Sequence, residues 1–199
     1  MYIFFEILFC VLVFIWGSIP FGFILTKRFT GRNILILGSG NIGSTNVCRV
    51  AGRRVSIYTQ LLDMLKGLLP VAFLLYLNGA NFHFTSFYVY IIALSSIVGH
   101  DFSIFLKFNG GKGVNTTLGA SLLIVPIPVF ISVIVYFIVK SKFKYVSLAS
   151  ILLAISLPIS YFFIYGLNPT FYYLLICTFL IIFRHNNNIE RLLNHRELH

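Results

Sequence analysis

Two glycine-rich loops hold most of the side chains that could do chemistry. The first reads Gly38-Ser39-Gly40-Asn41-Ile42-Gly43-Ser44-Thr45-Asn46, followed by Arg49 and then Gly52-Arg53-Arg54. The second reads Gly99-His100-Asp101, then Lys107-Phe108-Asn109-Gly110-Gly111-Lys112-Gly113. Glycines let backbone N–H groups approach an anion closely, and hydroxyl and amide side chains add donors. Ser44 or Thr45 is expected to cap a following helix, whose N-terminus favours a phosphate. Arg49 supplies a planar, permanently charged fork that matches phosphate bidentately. In the second loop Gly110, Gly111 and Gly113 flank the Lys112 ammonium, which is a phosphate nest. The GxxxxGK[ST] pattern fails at Leu106 and Gly113, so the loop argues for phosphate and not for ATP. The plainer alternative for the first loop is a solvated glycine-rich stretch whose arginines only set topology.

A third polar stretch is Arg184-His185-Asn186-Asn187-Asn188-Ile189-Glu190-Arg191. His185, Asn188 and Arg191 are three apart and share a face if the stretch is helical. His100 and His185 are the candidate general bases, although a histidine at a helix end is more often a structural hydrogen-bonder. Asp63 and Lys66 sit i, i+3 inside an apolar run, where ionisable groups are costly. A structural ion pair supporting the site is the expectation there.

Only 5 acidic residues exist in the chain, and they do not cluster. Metal-pair hydrolases and aspartate-rich phosphotransferases need grouped carboxylates. The 3 cysteines have no metal-ligand spacing, and no G-x-S-x-G context is present. No metal and no cofactor are therefore expected. Cations and amide donors without an obvious nucleophile suit a substrate that arrives already activated, which the protein orients and stabilises.

These loops must be carried by membrane helices. The chain is 58% hydrophobic and 10% charged, with mean hydropathy +0.93. A bilayer core of about 30 Å asks for about 20 apolar residues per helix. Candidate spans are 2–25, 55–77, 87–106, 145–165 and 171–183. The first lacks a basic leader, so a retained helix is expected over a cleaved signal. Read as one span, 113–139 would separate Lys107 and Lys112 from Lys140, Lys142 and Lys144. Its centre, Val125-Pro126-Ile127-Pro128-Val129, instead predicts two half-length helices of about 13 residues, roughly 20 Å each. The fold class expected is an all-α integral membrane protein, one domain over 1–199. It is a seven-helix bundle with two short helices at 113–139, N-terminus outside and C-terminus cytoplasmic. The 15 Lys and Arg cluster at 27–54, 107–112, 140–144 and 184–196, apart from Lys66, while 78–86 and 166–170 hold none. That asymmetry sets orientation by the positive-inside rule and makes the inner face cationic.

In this order the loops resemble the acyl-phosphate:glycerol-3-phosphate acyltransferases of bacterial membranes, the PlsY family, over nearly the whole chain. Gly17-Ser18-Ile19-Pro20-Phe21-Gly22 resembles the family's first-helix signature. Residues 39–46 with Arg49 and Gly52 are similar to its SGNxGATNxxRxxG loop. Gly99-His100, then Phe105-Leu106-Lys107-Phe108 leading to Gly110-Gly111-Lys112-Gly113-Val114, resembles GHxFPxFLxFKGGKGVAT. Tyr145-Val146-Ser147-Leu148-Ala149-Ser150 matches a serine-bearing stretch. His185, Asn188-Ile189, Arg191-Leu192 and Glu197 match the carboxyl-terminal motif. Ser44, Ser103, Asn109, Asn115 and His195 depart from that pattern, standing where alanine, proline, lysine, alanine and glycine are usual.

The resemblance implies acyl transfer from acyl-phosphate to the 1-hydroxyl of glycerol-3-phosphate, giving lysophosphatidic acid. It implies a multi-pass protein of the bacterial inner membrane, with its site on the cytoplasmic side. It also implies no acyl-CoA, acyl carrier protein or metal. Under it, Ser39, Arg49, Lys112, His185 and Asn188 are the catalytic candidates. Gly40, Asn41, Gly43, Thr45, Asn46, Gly110, Gly111, Gly113, Ser147, Ser150 and His100 are the substrate-binding candidates. The proton of the attacking hydroxyl goes either to the departing phosphate or to a histidine base. Two other classes share the cationic face: an organic-phosphate transporter and a non-catalytic binder of anionic lipid.

Overall fold

The computed structural model describes residues 2–79 and 87–197. The expected outer loop at 78–86 lies mostly outside the described residues. The described chain is all helical. Five of its helical segments are long and apolar enough to cross a membrane. Their outward faces carry bare aromatic and aliphatic side chains, such as Phe137 at 62%, Phe163 at 81% and Phe179 at 67% exposure. A water-facing surface does not carry so much apolar area, whereas lipid accepts it. The backbone contacts divide the chain into two compact units, 1–123 and 124–199.

The first unit contains α1 (Tyr2–Ser18), α2 (Phe21–Thr30), α3 (Ser44–Ala51), α4 (Arg53–Gly79), α5 (Tyr88–Asp101) and α6 (Val114–Leu122). The expected unbroken first span is split at Ile19 and Pro20, because the proline cannot continue the hydrogen-bond ladder. Helix α1 packs on α5, and α4 packs on both α5 and α6. Val13, Leu74, Tyr88 and Ile92 form one apolar core. A second small core of Ile34, Ile42, Val47 and Val55 lies under the polar stretch between α2 and α4. The α4–α6 crossing is close: a Cβ on Gly67 or Gly119 would run into the facing backbone at Thr116 or Met64. Small residues at such a crossing are what lets membrane helices approach.

The second unit contains α7 (Pro126–Phe143), α8 (Val146–Tyr165), α9 (Pro169–Arg184) and α10 (Asn186–Leu193). Here the expected pair of equal half-helices is corrected. Helix α6 has 9 residues and α7 has 18. The break between them does fall at the prolines, as expected. Pro126 opens α7 and Pro128 lies in its first turn, where a missing N–H costs nothing because those donors have no intrahelical partner. Helices α7 and α8 form an antiparallel hairpin through Lys144, whose φ is 64°. Helix α9 returns alongside α8, its start capped by Asn168, whose side chain also pairs with the Tyr161 hydroxyl.

Both units tolerate a proline deep inside a long helix by the same means. Pro70 in α4 leaves the Lys66 carbonyl without its usual donor, and Ser96 on α5 donates to that oxygen at 2.6 Å. Pro158 in α8 does the same to Ala154, whose carbonyl receives the Thr178 hydroxyl of α9 at 2.7 Å. Each repair comes from a neighbouring helix, as a bilayer offers no water to do it.

Candidate active site

In the first unit the two glycine loops meet. Asn46, only 2% exposed, organises the first loop. Its amide donates to the carbonyls of Leu37 (3.0 Å) and Asn41 (2.9 Å), and its Oδ1 accepts the Ser39 N–H (2.9 Å). Asn41 accepts the Gly43 N–H at 2.8 Å and reaches across to the Gly110 carbonyl at 3.5 Å. The expected cap at Ser44 or Thr45 is corrected: the cap position is Gly43, and Ser44 is the first residue of α3. Its backbone carbonyl instead receives the Ser56 hydroxyl at 2.7 Å, and its own hydroxyl receives the Asn115 amide at 3.3 Å. The start of α3 is thus joined to the start of α6. Arg49 lies on exposed α3 surface, and Lys112 is half-buried immediately before α6.

The second loop is entered through two consecutive residues of left-handed backbone, Lys107 (φ 52°) and Phe108 (φ 63°). Such conformations cost on the order of 1–3 kcal/mol each for non-glycine residues and persist only where surroundings impose them. The loop is then pinned to the end of α5. Gly110 N–H donates to the Asp101 carbonyl (3.2 Å) and Gly111 N–H to that of His100 (2.9 Å). The His100 imidazole lies directly under Gly111, where any Cβ would land on its Nε2. His100 itself is 4% exposed, and its Nδ1 faces inward toward Lys66 and Asp63.

In the second unit Ser147 and Ser150 are buried near the start of α8, and α10 packs on both α8 and α9. The Ser147 hydroxyl is among the buried polar groups with no hydrogen-bond partner. His185, at the α9–α10 junction, places Nδ1 2.7 Å from the Ile181 carbonyl. A carbonyl only accepts, so Nδ1 carries the proton and a neutral ring keeps its lone pair on Nε2. The stretch 184–191 is not one helix: α9 ends at Arg184, His185 is the turn between α9 and α10, and α10 carries Asn188, which is buried, and Arg191. Glu197 binds Asn188 (2.6 Å) and Arg191 (3.1 Å) with its two oxygens. The motif match named all three residues, but that Glu197 clamps the other two was not read from the sequence.

A family model described as glycerol-3-phosphate acyltransferase matches residues 7–195. The chain belongs to the glycerol-3-phosphate acyltransferase family. A relative of that name from Clostridium acetobutylicum is 44% identical over 188 residues, covering 92% of this chain and 94% of its own. One from Staphylococcus aureus strain Newman is 39% identical over 194 residues, covering 94% of each chain. The crystal structure of PlsY (YgiH), an integral membrane glycerol 3-phosphate acyltransferase in its glycerol 3-phosphate form, superposes with a TM-score of 0.88. That match is 33% identical and covers 97% of this chain and 94% of PlsY. Its lysophosphatidic acid form matches with a TM-score of 0.85.

Against the family pattern, the departures at Ser44 and Asn115 acquire a meaning. The two replaced alanines are hydrogen-bonded partners here, 71 residues apart in sequence. Ser103, where proline is usual, is buried and donates its hydroxyl to the Ser18 carbonyl at the end of α1 (2.5 Å).

Proposed function

We propose that this chain transfers a fatty acyl group from acyl-phosphate to the 1-hydroxyl of glycerol-3-phosphate. The products are 1-acylglycerol-3-phosphate (lysophosphatidic acid) and inorganic phosphate. The observation that carries this reading is the joining of two glycine loops, each bearing a cation, through Asn41 with Gly110 and Asn115 with Ser44. Both substrates bear phosphate, so a site for this reaction needs two cationic holds near one another. Arg49 and Lys112 supply them, and the N–H groups and side chains of residues 39–46 and 110–113 complete the cradle. The resemblance also implies roles for Ser147, Ser150, His185 and Asn188, which belong to the second unit.

The chemistry balances without further reactants. The hydroxyl oxygen attacks the acyl carbonyl carbon, a C–O ester bond forms, and the bond from that carbon to the phosphate oxygen breaks. The departing phosphate carries away the electron pair. It also takes the hydroxyl proton, or a histidine acting as general base, His185 or His100, does so. Arg49 and Lys112 act mainly by binding and by stabilising charge on phosphate. We further propose seven membrane-embedded segments in a bacterial inner membrane, basic loops inward and the N-terminus outward, in keeping with the charge asymmetry.

Purified protein in detergent, given acyl-phosphate and glycerol-3-phosphate, is expected to yield lysophosphatidic acid and phosphate. Product from acyl-CoA or acyl carrier protein, with none from acyl-phosphate, would overturn the donor. A reporter fused to the C-terminus and found outside would overturn the orientation.

A further inference from the structure

Beneath the second glycine loop lies a buried polar cluster that the reaction does not use directly. Lys66 is 0% exposed, Asp63 2% and His100 4%. The Lys66 ammonium is surrounded: Asp63 Oδ1 at 3.1 Å, the Ile19 carbonyl at 2.6 Å, His100 Nδ1 at 3.4 Å, and the Phe21 ring centroid at 4.9 Å. Asp63 also lies 3.6 Å from His100 Nδ1. Through these contacts α4 is tied to the break between α1 and α2 and to the end of α5.

Ionisable groups inside an apolar span are costly and mark function by default. Stability alone is a weak reason to keep them, since buried ion pairs are often replaceable by apolar residues without loss. What this cluster touches is informative. The imidazole of His100 fills the space under Gly111, and the His100 and Asp101 carbonyls hold the Gly111 and Gly110 N–H groups. The loop is entered through two strained residues, so its shape needs an outside constraint. Resting on the phosphate-binding role given above to that loop, we propose that Asp63, Lys66 and His100 are positioning residues. They lock the end of α5, and hence residues 110–113, in the form that holds a substrate phosphate.

The test replaces the ion pair by apolar groups of similar size, Asp63→Leu with Lys66→Met, and separately makes His100→Ala. KM is independent of how much protein folds, so it separates positioning from stability. The expected result is a rise of about tenfold or more in KM for one phosphate-bearing substrate, the other staying within twofold. Hydrogen exchange at the Gly110 and Gly111 amides is expected to quicken in the same variants. KM values within twofold of wild type in both variants would overturn the proposal. If neither variant folds, Asp63→Asn, which keeps the shape, is judged by the same criteria. If the wild type fails to turn over acyl-phosphate, the donor assignment falls. Unchanged exchange at Gly110 and Gly111 would then overturn the positioning role by itself, and faster exchange would uphold it.

Discussion

The two compact units solve one problem alike and a second one differently. Each has a proline inside a long helix, and each repairs the freed carbonyl with a hydroxyl from the next helix. In the second unit the repaired carbonyl belongs to Ala154, among apolar neighbours, and the repair is purely structural. In the first it belongs to Lys66, whose side chain carries the buried charge cluster. The second unit keeps its own ion pair, Arg191 with Glu197, toward the end of the fold, with Arg191 33% exposed. Among the described residues, an ion pair with both partners deeply buried lies beneath a glycine loop, whereas in the second unit the Glu197 side chain is 4% exposed and its partner Arg191 remains 33% exposed. Packing and hydrogen bonding are enough to build a membrane helix bundle, whereas fixing a loop proposed to bind an anion takes a more directional constraint.

The largest expected effect tests that difference in charge burial. Lys66→Ala leaves Asp63 uncompensated and is expected to lower stability by about 3–5 kcal/mol. Arg191→Ala removes a partly exposed guanidinium and leaves the buried Glu197 its Asn188 hydrogen bond, so it is expected to cost less, about 1–2 kcal/mol. Thermal unfolding in detergent reads both, and equal losses would erase the contrast. Next come the cationic holds: Arg49→Ala or Lys112→Ala is expected to lower kcat/KM about a hundredfold, since each removes a charged hydrogen-bond donor. Wild-type rates in both would remove the site itself. Smaller, and sharper, is the pair Ser96→Ala and Thr178→Ala. Each leaves a helix carbonyl unpaired and is expected to cost about 1 kcal/mol. Only Ser96→Ala should also raise a substrate KM, and a similar rise in Thr178→Ala would show that the two repairs are not functionally different. The smallest effect is the coupling between Ser44→Ala and Asn115→Ala. A double-mutant cycle is expected to show about 0.5 kcal/mol of non-additivity, and strict additivity would mean that their bond carries no energy.

Much of the site's raw material was legible in the sequence because it is local. Glycines beside Arg49 and Lys112 state their anion preference wherever the chain goes. The pairing of Asp63 with Lys66 followed from their proximity, whereas the turn at His185 between α9 and α10 did not show in the spacing. The cap at Gly43 was misread because Ser44 has the right chemistry, but its hydroxyl is engaged by Asn115 across the loop junction. The equal half-helices were misread because proline breaks a helix only in its interior, and sequence alone does not say where the first turn begins.

Hydropathy along the chain determined the helical class and the approximate spans. These follow from transfer between water and lipid, which each segment experiences by itself. Tertiary structure alone decided that Asn41 meets Gly110, that His100 lies beneath Gly111, and which hydroxyl repairs each proline. Such partners are set by how helices cross, and a hydrogen bond reaches only about 3 Å. No pattern within one segment encodes what another segment will bring to that distance.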